Sequence, residues 1–395
     1  LAARSPEALA AMQARLADAL EADPALPLAD VAYTLQEGRP GFEYRTAVAG
    51  DDRAAVIAAL RSTAAARKPA LPGTRGVAFL FPGQGSQYPG MGSGLYESEP
   101  EFARWIDAGA EILAPIVGLD FKTMLCFGDP SDKEMARALR ETRLTQPALF
   151  LTQYANAKLW MARGIMPMAM IGHSVGEFTA AALAGVMDFE TGLGIIAKRG
   201  ELMQAQPGGA MLSVRAPMEA LEPHLDGSVD VAARNAPRLN VLAGSFEAID
   251  AMEARLKAAD IAVGRLHTSH AFHSAMMDPV CDALEDALGD VRLNPAAIPY
   301  VSCVTGSWIT EAECTDPAYW ARQARATVNF QQAVTTLTGE DPAILLEVGA
   351  GNTLSAFAKQ TLPRDTAVAI VQSLPDHTRP DTDTLAMARG FGQLW

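Results

Sequence analysis

The chain has 395 residues, of which 49% are hydrophobic and 20% charged, an ordinary globular balance with room for two or three domains and a core that needs no covalent staples. A net charge of −14 argues against nucleic-acid binding, which needs clustered Lys and Arg, and leaves any anionic substrate to be held by a few local cations. No apolar run approaches the roughly 20 residues of a membrane span, no signal peptide opens the chain, and the four cysteines (Cys126, Cys281, Cys303, Cys314) form no Cys-x-x-Cys pair, so a membrane protein, a zinc ribbon and a disulfide framework are all disfavoured and a reducing, cytoplasmic setting is expected.

Residues 1–75 read as a separate α/β unit. The chain opens with Leu1 rather than Met, as a piece of a longer polypeptide would. Ser5-Pro6-Glu7 starts an Ala/Leu-rich helix, with Ser5 as the N-cap and Pro6 in the first turn. A second helical patch follows at 28–35, a short strand at 44–48 and an Ala-rich helix at 51–66; Arg67-Lys68-Pro69 opens a linker that runs to Gly76. The main domain, 76–362, begins with Val77-Ala78-Phe79-Leu80-Phe81, an apolar run closed by Pro82-Gly83 and therefore a buried strand. Helices around 99–114 and 145–162 lead to a second buried strand, Met168-Ala169-Met170-Ile171, and a helix over 175–183. Strands alternating with helices predict a parallel sheet covered on both faces. Between about 208 and 266 the pattern changes to short strands (210–214, 240–243, 261–266) separated by helices near 217–225 and 246–259, an inserted small subdomain. Strands at 300–303 and 344–348 return to the main sheet, and the Pro- and Asp-rich stretch 363–395 reads as a trailing linker.

Gly172-His173-Ser174-Val175-Gly176 matches Gly-x-Ser-x-Gly. Alone the pattern is weak, since it arises by chance in roughly one in ten chains of this length. Its setting between an apolar strand and a helix is the one a nucleophile elbow needs: a sharp turn lifts the hydroxyl off the sheet and the helix start aims free N–H groups at developing negative charge. The alternative is a serine that merely caps a helix. A nucleophilic serine needs a base. Of the six histidines, three lie in His267-Thr268-Ser269-His270-Ala271-Phe272-His273. Their His-x2-His-x2-His spacing raises the alternative of a metal site, but no Asp, Glu or Cys pair accompanies it and a helix would turn the three rings apart.

Four separated motifs, Phe81-Pro82-Gly83-Gln84-Gly85-Ser86-Gln87, Gly172-His173-Ser174-Val175-Gly176-Glu177, Lys198-Arg199-Gly200 and His270-Ala271-Phe272-His273-Ser274, stand in an order and spacing that resemble the acyltransferase domains of modular (type I) polyketide synthases, relatives of the malonyl-CoA:acyl-carrier-protein transacylases. The resemblance covers nearly the whole chain. It implies an α/β-hydrolase-like large subdomain with a parallel sheet, an inserted ferredoxin-like small subdomain, a ketosynthase-to-acyltransferase linker at 1–75 and a post-acyltransferase linker at 363–395. It also implies that Ser174 is the nucleophile and His273 its base, in a Ser–His dyad. The oxyanion would be held by the backbone N–H groups of Gln84 and Val175, and His273 oriented by the backbone carbonyl of Gln323. Arg199, 25 residues after Ser174 on the next helix, would grip the free carboxylate of the acyl group, a task a planar fork suits better than an ammonium; a surface ion pair with Glu201 is the plainer alternative. His173 and Glu177 are read as supports of the elbow.

His270-Ala271-Phe272-His273 resembles the malonyl-type motif, with Phe272 filling the space that a methyl branch would need. One methyl group is worth only about 1–3 kcal/mol, so leakage to methylmalonyl-CoA is expected. The implied partners are malonyl-CoA, a phosphopantetheinylated acyl carrier protein and an adjacent ketosynthase, with no metal and no redox cofactor. Two rivals stay open at this stage: an editing acyl hydrolase, which would share Ser174 and His273, and a catalytically silent scaffold.

Overall fold

A computed structural model describes residues 1–62, 76–339, 344–376 and 382–395; most of the linker expected at 67–76 lies outside the described residues, as does His377. The chain divides into two compact units, Leu1–Arg75 with Asp381–Trp395, and Gly76–Pro380.

In the first unit, β1 (Ala2–Ala3) pairs antiparallel with β2 (Tyr44–Arg45). Its helices are Pro6–Ala22, Leu28–Glu37, Arg53–Ser62 and Asp383–Leu394. Ser5 caps the first by accepting from Ala8 N, and Thr382 caps the last by accepting from Leu385 N, each satisfying an otherwise orphaned helix N–H. A small core of Ala17, Leu20 and Leu60 holds the unit together. Arg45 donates to the Trp395 carbonyl at 2.7 Å and lies 5.2 Å from its indole ring centre, tying in the chain's last residues.

The second unit has two sheets. Five parallel strands, β3 (Val77–Phe81), β4 (Pro167–Gly172), β9 (Tyr300–Val301), β10 (Ile344–Glu347) and β11 (Ala369–Gln372), stand in the order β11-β10-β3-β4-β9. β3 is buried throughout, as a central parallel strand must be when helices cover both faces. The second sheet is antiparallel: β5 (Ala210–Val214), β6 (Asp230–Ala236), β7 (Leu239–Gly244) and β8 (Val263–Arg265), ordered β6-β7-β5-β8, with helices Met218–Leu221 and Phe246–Ala258 between them. This βαββαβ run is the ferredoxin-like insertion, so the fold class is the α/β one expected.

The stretch expected as the linker after the acyltransferase, 363–395, contains two ordered elements. Ala369–Gln372 is an edge strand of the main sheet with Val371 buried, and Asp383–Leu394 is a helix of the first unit. The Pro and Asp residues that suggested a linker flank these two elements rather than fill them. Strand β6 also went unforeseen, because its register shifts twice against β7 and it shows no clean alternation. Among the described residues no helix is long and apolar enough to cross a membrane.

Candidate active site

Ser174 sits between the end of β4 and the helix Val175–Leu183 with φ 53° and ψ −113°. The two motif glycines are there for space. A Cβ on Gly172 would fall 2.0 Å from Glu177 N, and one on Gly176 would fall 2.1 Å from Phe81 O. The elbow is sewn to the neighbouring strand by His173 N donating to Phe81 O at 2.9 Å. Val175 is the first residue of the helix, so its N–H has no partner within the helix. The loop that carries Gln84 leaves the same end of β3, and a Cβ on Gly83 would lie 3.0 Å from His173 O, so that loop runs against the elbow.

His273 reaches the elbow from 99 residues away. Its Nε2 lies 2.7 Å from Ser174 Oγ, and its Nδ1 lies 2.8 Å from the Ala326 carbonyl. A carbonyl only accepts, so Nδ1 carries the ring proton and Nε2 faces the serine as a lone pair, the tautomer a general base needs. Burial first, and then the Arg199 charge, push the imidazole down from 6.5 to about 3. His273, like Ser174, has positive φ (57°), and they are two of three such non-glycine residues among those described. Backbone strain of this kind persists only where surrounding contacts enforce it.

Those contacts are visible around His273. Val328 N donates to Ala232 O, Arg234 N to Val328 O, and Thr327 Oγ1 to Val231 O, so the loop bearing Ala326 is laced to β6. Asp230 accepts from Ala275 N at 2.8 Å and from Arg325 at 3.1 Å, fixing the His273 segment and the Ala326 loop to one carboxylate. The assignment of Gln323 as the orienting carbonyl is therefore revised: the hydrogen-bonded carbonyl is that of Ala326, three residues on, while Gln323 reaches the elbow through its side chain, donating from Nε2 to the Ser174 carbonyl at 2.7 Å.

Arg199 lies on the helix Phe189–Gln204 and is fully buried. One guanidinium nitrogen donates to Gln146 Oε1; the other donates to Gln323 Oε1 at 3.0 Å and approaches Ser174 Oγ at 3.4 Å. None of these partners is charged, and its Nε has no hydrogen-bond partner. Burial lowers the group only to about 10, so it remains a cation at neutral pH. A buried cation clamped by neutral amides beside a hydroxyl is chemically suited to take an anion. The surface alternative fails, since Glu201 pairs with Lys198 instead. Lys198-Arg199-Gly200 ends in glycine because the helix passes close to another: a Cβ on Gly200 would fall 2.9 Å from Thr142 O and 3.0 Å from Arg143 Cα. Gly200→Ala is expected to cost about 1–3 kcal/mol of stability and to displace Arg199; denaturant unfolding with a parallel loading assay checks this, and an unchanged variant would rule out the tight contact.

Glu177 is fully buried, accepts from Tyr319 OH and from Cys303 N at 3.3 Å, and is raised by burial. It supports the elbow from beneath. His173 meets Asn235 Oδ1 at 2.9 Å, which links the elbow to the small sheet. The three histidines of 267–273 take separate paths: His267 is exposed, His270 bonds Ser269 Oγ and Gln206 O, and His273 bonds Ser174. Among the described residues no cluster of His, Cys, Asp or Glu could hold a metal ion. Phe272 is buried with its ring stacked on His270 at 5.8 Å, on the segment leading into His273. Sequence reasoning missed Thr142, Gln146, Asp230, Asn235 and Ala326, all of which act through tertiary contacts; the Thr-x-x-x-Gln spacing on one helix face was the only local signal for the first two.

The profile of the acyl transferase domain matches residues 78–393, and one described as CurL-like, polyketide synthase C-terminal, matches residues 1–60. A phenolphthiocerol/phthiocerol polyketide synthase protein of Mycobacterium tuberculosis is 34% identical across 100% of this chain, and mycoketide-CoA synthase of the same organism is 37% identical across 99%. The chain spans 27% and 9% of the lengths of these two proteins. The acyl transferase domain of SpnD, solved with 2-(pent-4-yn-1-yl)malonyl, superposes with a TM-score of 0.91 at 35% identity, covering 100% of this chain and 94% of that one. The malonyl CoA-acyl carrier protein transacylase from Clostridium perfringens superposes with a TM-score of 0.68 at 26% identity, covering 75% of this chain and 92% of that one.

Proposed function

The chain belongs to the acyl transferase domain family and is an acyltransferase of the polyketide synthase type, and from that premise we propose that it moves malonyl from malonyl-CoA to the phosphopantetheine thiol of an acyl carrier protein through an ester on Ser174. Ser174 Oγ gives its proton to His273 Nε2 and attacks the thioester carbonyl. The N–H groups of Val175 and Gln84 take the resulting oxyanion. Collapse expels the coenzyme A thiolate, which leaves as the thiol after taking the proton from His273. In the second half the carrier thiol gives a proton to Nε2 and attacks the ester carbonyl, and Ser174 departs with that proton. The scheme draws on no metal or redox cofactor.

The observation that carries the malonyl reading is Arg199, a buried cation with uncharged partners 3.4 Å from the nucleophile. A bidentate grip on the malonyl carboxylate would supply its missing counter-charge and hold the acyl group in one pose. A hydrolase of simple acyl esters has no use for it, and the SpnD domain was solved with a malonyl derivative. Phe272, one residue before the base, supports malonyl over methylmalonyl. The match over residues 1–60 supports the reading of 1–75 as the linker to an adjacent ketosynthase.

Intact-mass measurement after competition between malonyl-CoA, methylmalonyl-CoA and acetyl-CoA tests this. Malonyl is expected on wild type, none on Ser174→Ala, and passage to a carrier protein faster than release of free malonate. Preferential loading of methylmalonyl would replace the substrate, and faster release than transfer would favour an editing hydrolase.

A further inference from the structure

Arg199 touches more than the place of a substrate carboxylate, because two hydrogen-bonded arms run from it, one to the side chain of Gln84 and one to the Ser174 carbonyl, and so to the two residues whose backbone N–H groups are the proposed oxyanion donors. On one arm its guanidinium donates to Gln146 Oε1, Gln146 Nε2 donates to Thr142 Oγ1 at 2.8 Å, and Thr142 Oγ1 donates to Gln84 Oε1 at 2.8 Å. On the other it donates to Gln323 Oε1 at 3.0 Å, and Gln323 Nε2 donates to the Ser174 carbonyl at 2.7 Å. That carbonyl belongs to the same peptide plane as the Val175 N–H, so whatever holds one aims the other.

The direction of every bond follows from the cation. A guanidinium has no acceptor, so the oxygens of Gln146 and Gln323 must face it and their amide nitrogens must face away. Thr142 has one hydroxyl proton, and with Gln146 donating to its oxygen that proton is left for Gln84. Thr142, Gln146 and Gln323 are all fully buried, so water cannot substitute. Chains of this kind polarise along their length in a low-dielectric interior. The Thr142 carbonyl is also the atom against which Gly200 packs, so a single residue stands where the helix of Arg199 meets the oxyanion loop.

Resting on the acyl-transfer reading above, we propose that the carboxylate clamp and the oxyanion hole are one network hung on Arg199, with Thr142 as the positioning residue that fixes the Gln84 donor. Thr142 touches no substrate atom. It acts through Gln84, and it confers a preference for acyl groups whose carboxylate engages the guanidinium.

The test measures single-turnover acylation of Ser174 by malonyl-CoA and acetyl-CoA in the whole chain. Thr142→Val keeps the shape and removes the hydroxyl; it is expected to lower the maximal acylation rate about tenfold with half-saturation shifted less than twofold, a pattern of lost transition-state stabilisation. Thr142→Ser, which keeps the hydroxyl, is expected within about twofold of wild type, and matching melting curves would separate this from a folding defect. With acetyl-CoA in an Arg199→Ala background, where the first donor is gone, Thr142→Val is expected to cost less than about twofold. An unchanged rate in Thr142→Val, failure of Thr142→Ser to restore it, or a full tenfold cost persisting without Arg199 would each overturn the proposal. If wild type loads malonyl normally, such a result removes only the network; if wild type acquires no acyl group from any thioester, the acyl-transfer reading falls and the network with it.

Discussion

Replacing His273 with alanine is expected to slow acylation of Ser174 about a thousandfold, within the range typical of a lost general base. The variant keeps Ser174, the helix start at Val175 and Arg199, so residual acylation should remain above background. It loses the ring nitrogen 2.7 Å from the hydroxyl and leaves the Ala326 carbonyl without its donor. Single-turnover mass measurement reads the result, and a rate within tenfold of wild type would assign the base elsewhere. With His273 as the proposed base, the same ring is expected to set the pH profile of the wild type. An imidazole at its ordinary 6.5 would lose half its basic form at that pH, whereas burial and the Arg199 charge hold His273 near 3. Acylation should therefore stay level from pH 8 down to about 5. Stability behaves differently. Between 6.5 and 3 the unfolded chain takes up a proton here that the native chain refuses, so this contribution is complete above 6.5 and is lost as the pH falls toward 3. Glu347, raised by burial from 4.5 to about 7, works in the opposite sense: its contribution is present below 4.5 and is lost as the pH rises through 7. Activity is thus a cleaner readout of His273 than melting temperature.

Arg199→Ala is expected to lower loading from malonyl-CoA about a hundredfold, while loading from acetyl-CoA falls no more than about tenfold. The difference is the two charge-assisted hydrogen bonds that only a carboxylate-bearing acyl group can make. The smaller loss shared by both substrates reflects the amide oxygens of Gln146 and Gln323, which are left buried without their common donor. The selectivity ratio for malonyl over acetyl, measured by competition, is the quantity to follow. Equal losses for the two substrates would refute the carboxylate-clamp role and leave Arg199 a purely structural cation.

What could be read from the sequence divides by the range of the interaction. The Ser174 elbow is a local object: an apolar strand, a tight turn with glycines on either side and a helix, contiguous from Pro167 to Leu183, and the structure places the helix at Val175–Leu183 as expected. The alternation of strand and helix was equally local, so the parallel sheet was legible. The meeting of Ser174, His273 and Arg199 was not, since nothing in their separations of 99 and 25 residues brings them together; the resemblance of four ordered motifs supplied it. Where neither local pattern nor motif spoke, the reading was incomplete. The residue whose carbonyl orients His273 is Ala326, and an alanine that acts through its backbone leaves no trace in side-chain chemistry. Asp230, Asn235, Thr142 and Gln146 are ordinary polar residues until packing buries them. The Pro and Asp residues of 363–395 are of the same kind: they report what flanks an element, not that a neighbouring strand recruits Ala369–Gln372.

The first unit is assembled from both ends of the sequence, Leu1–Arg75 and Asp381–Trp395, whereas Gly76–Pro380 is continuous. In genetic terms the catalytic body is a cassette spliced into a host that is interrupted to receive it. A transplant cut at 363 would strip the sheet of its edge strand Ala369–Gln372, and truncation after 380 would deprive the host of the helix Asp383–Leu394. Recombination points that respect the architecture therefore come as a pair, one on each side of Gly76–Pro380, and either one used alone breaks a core.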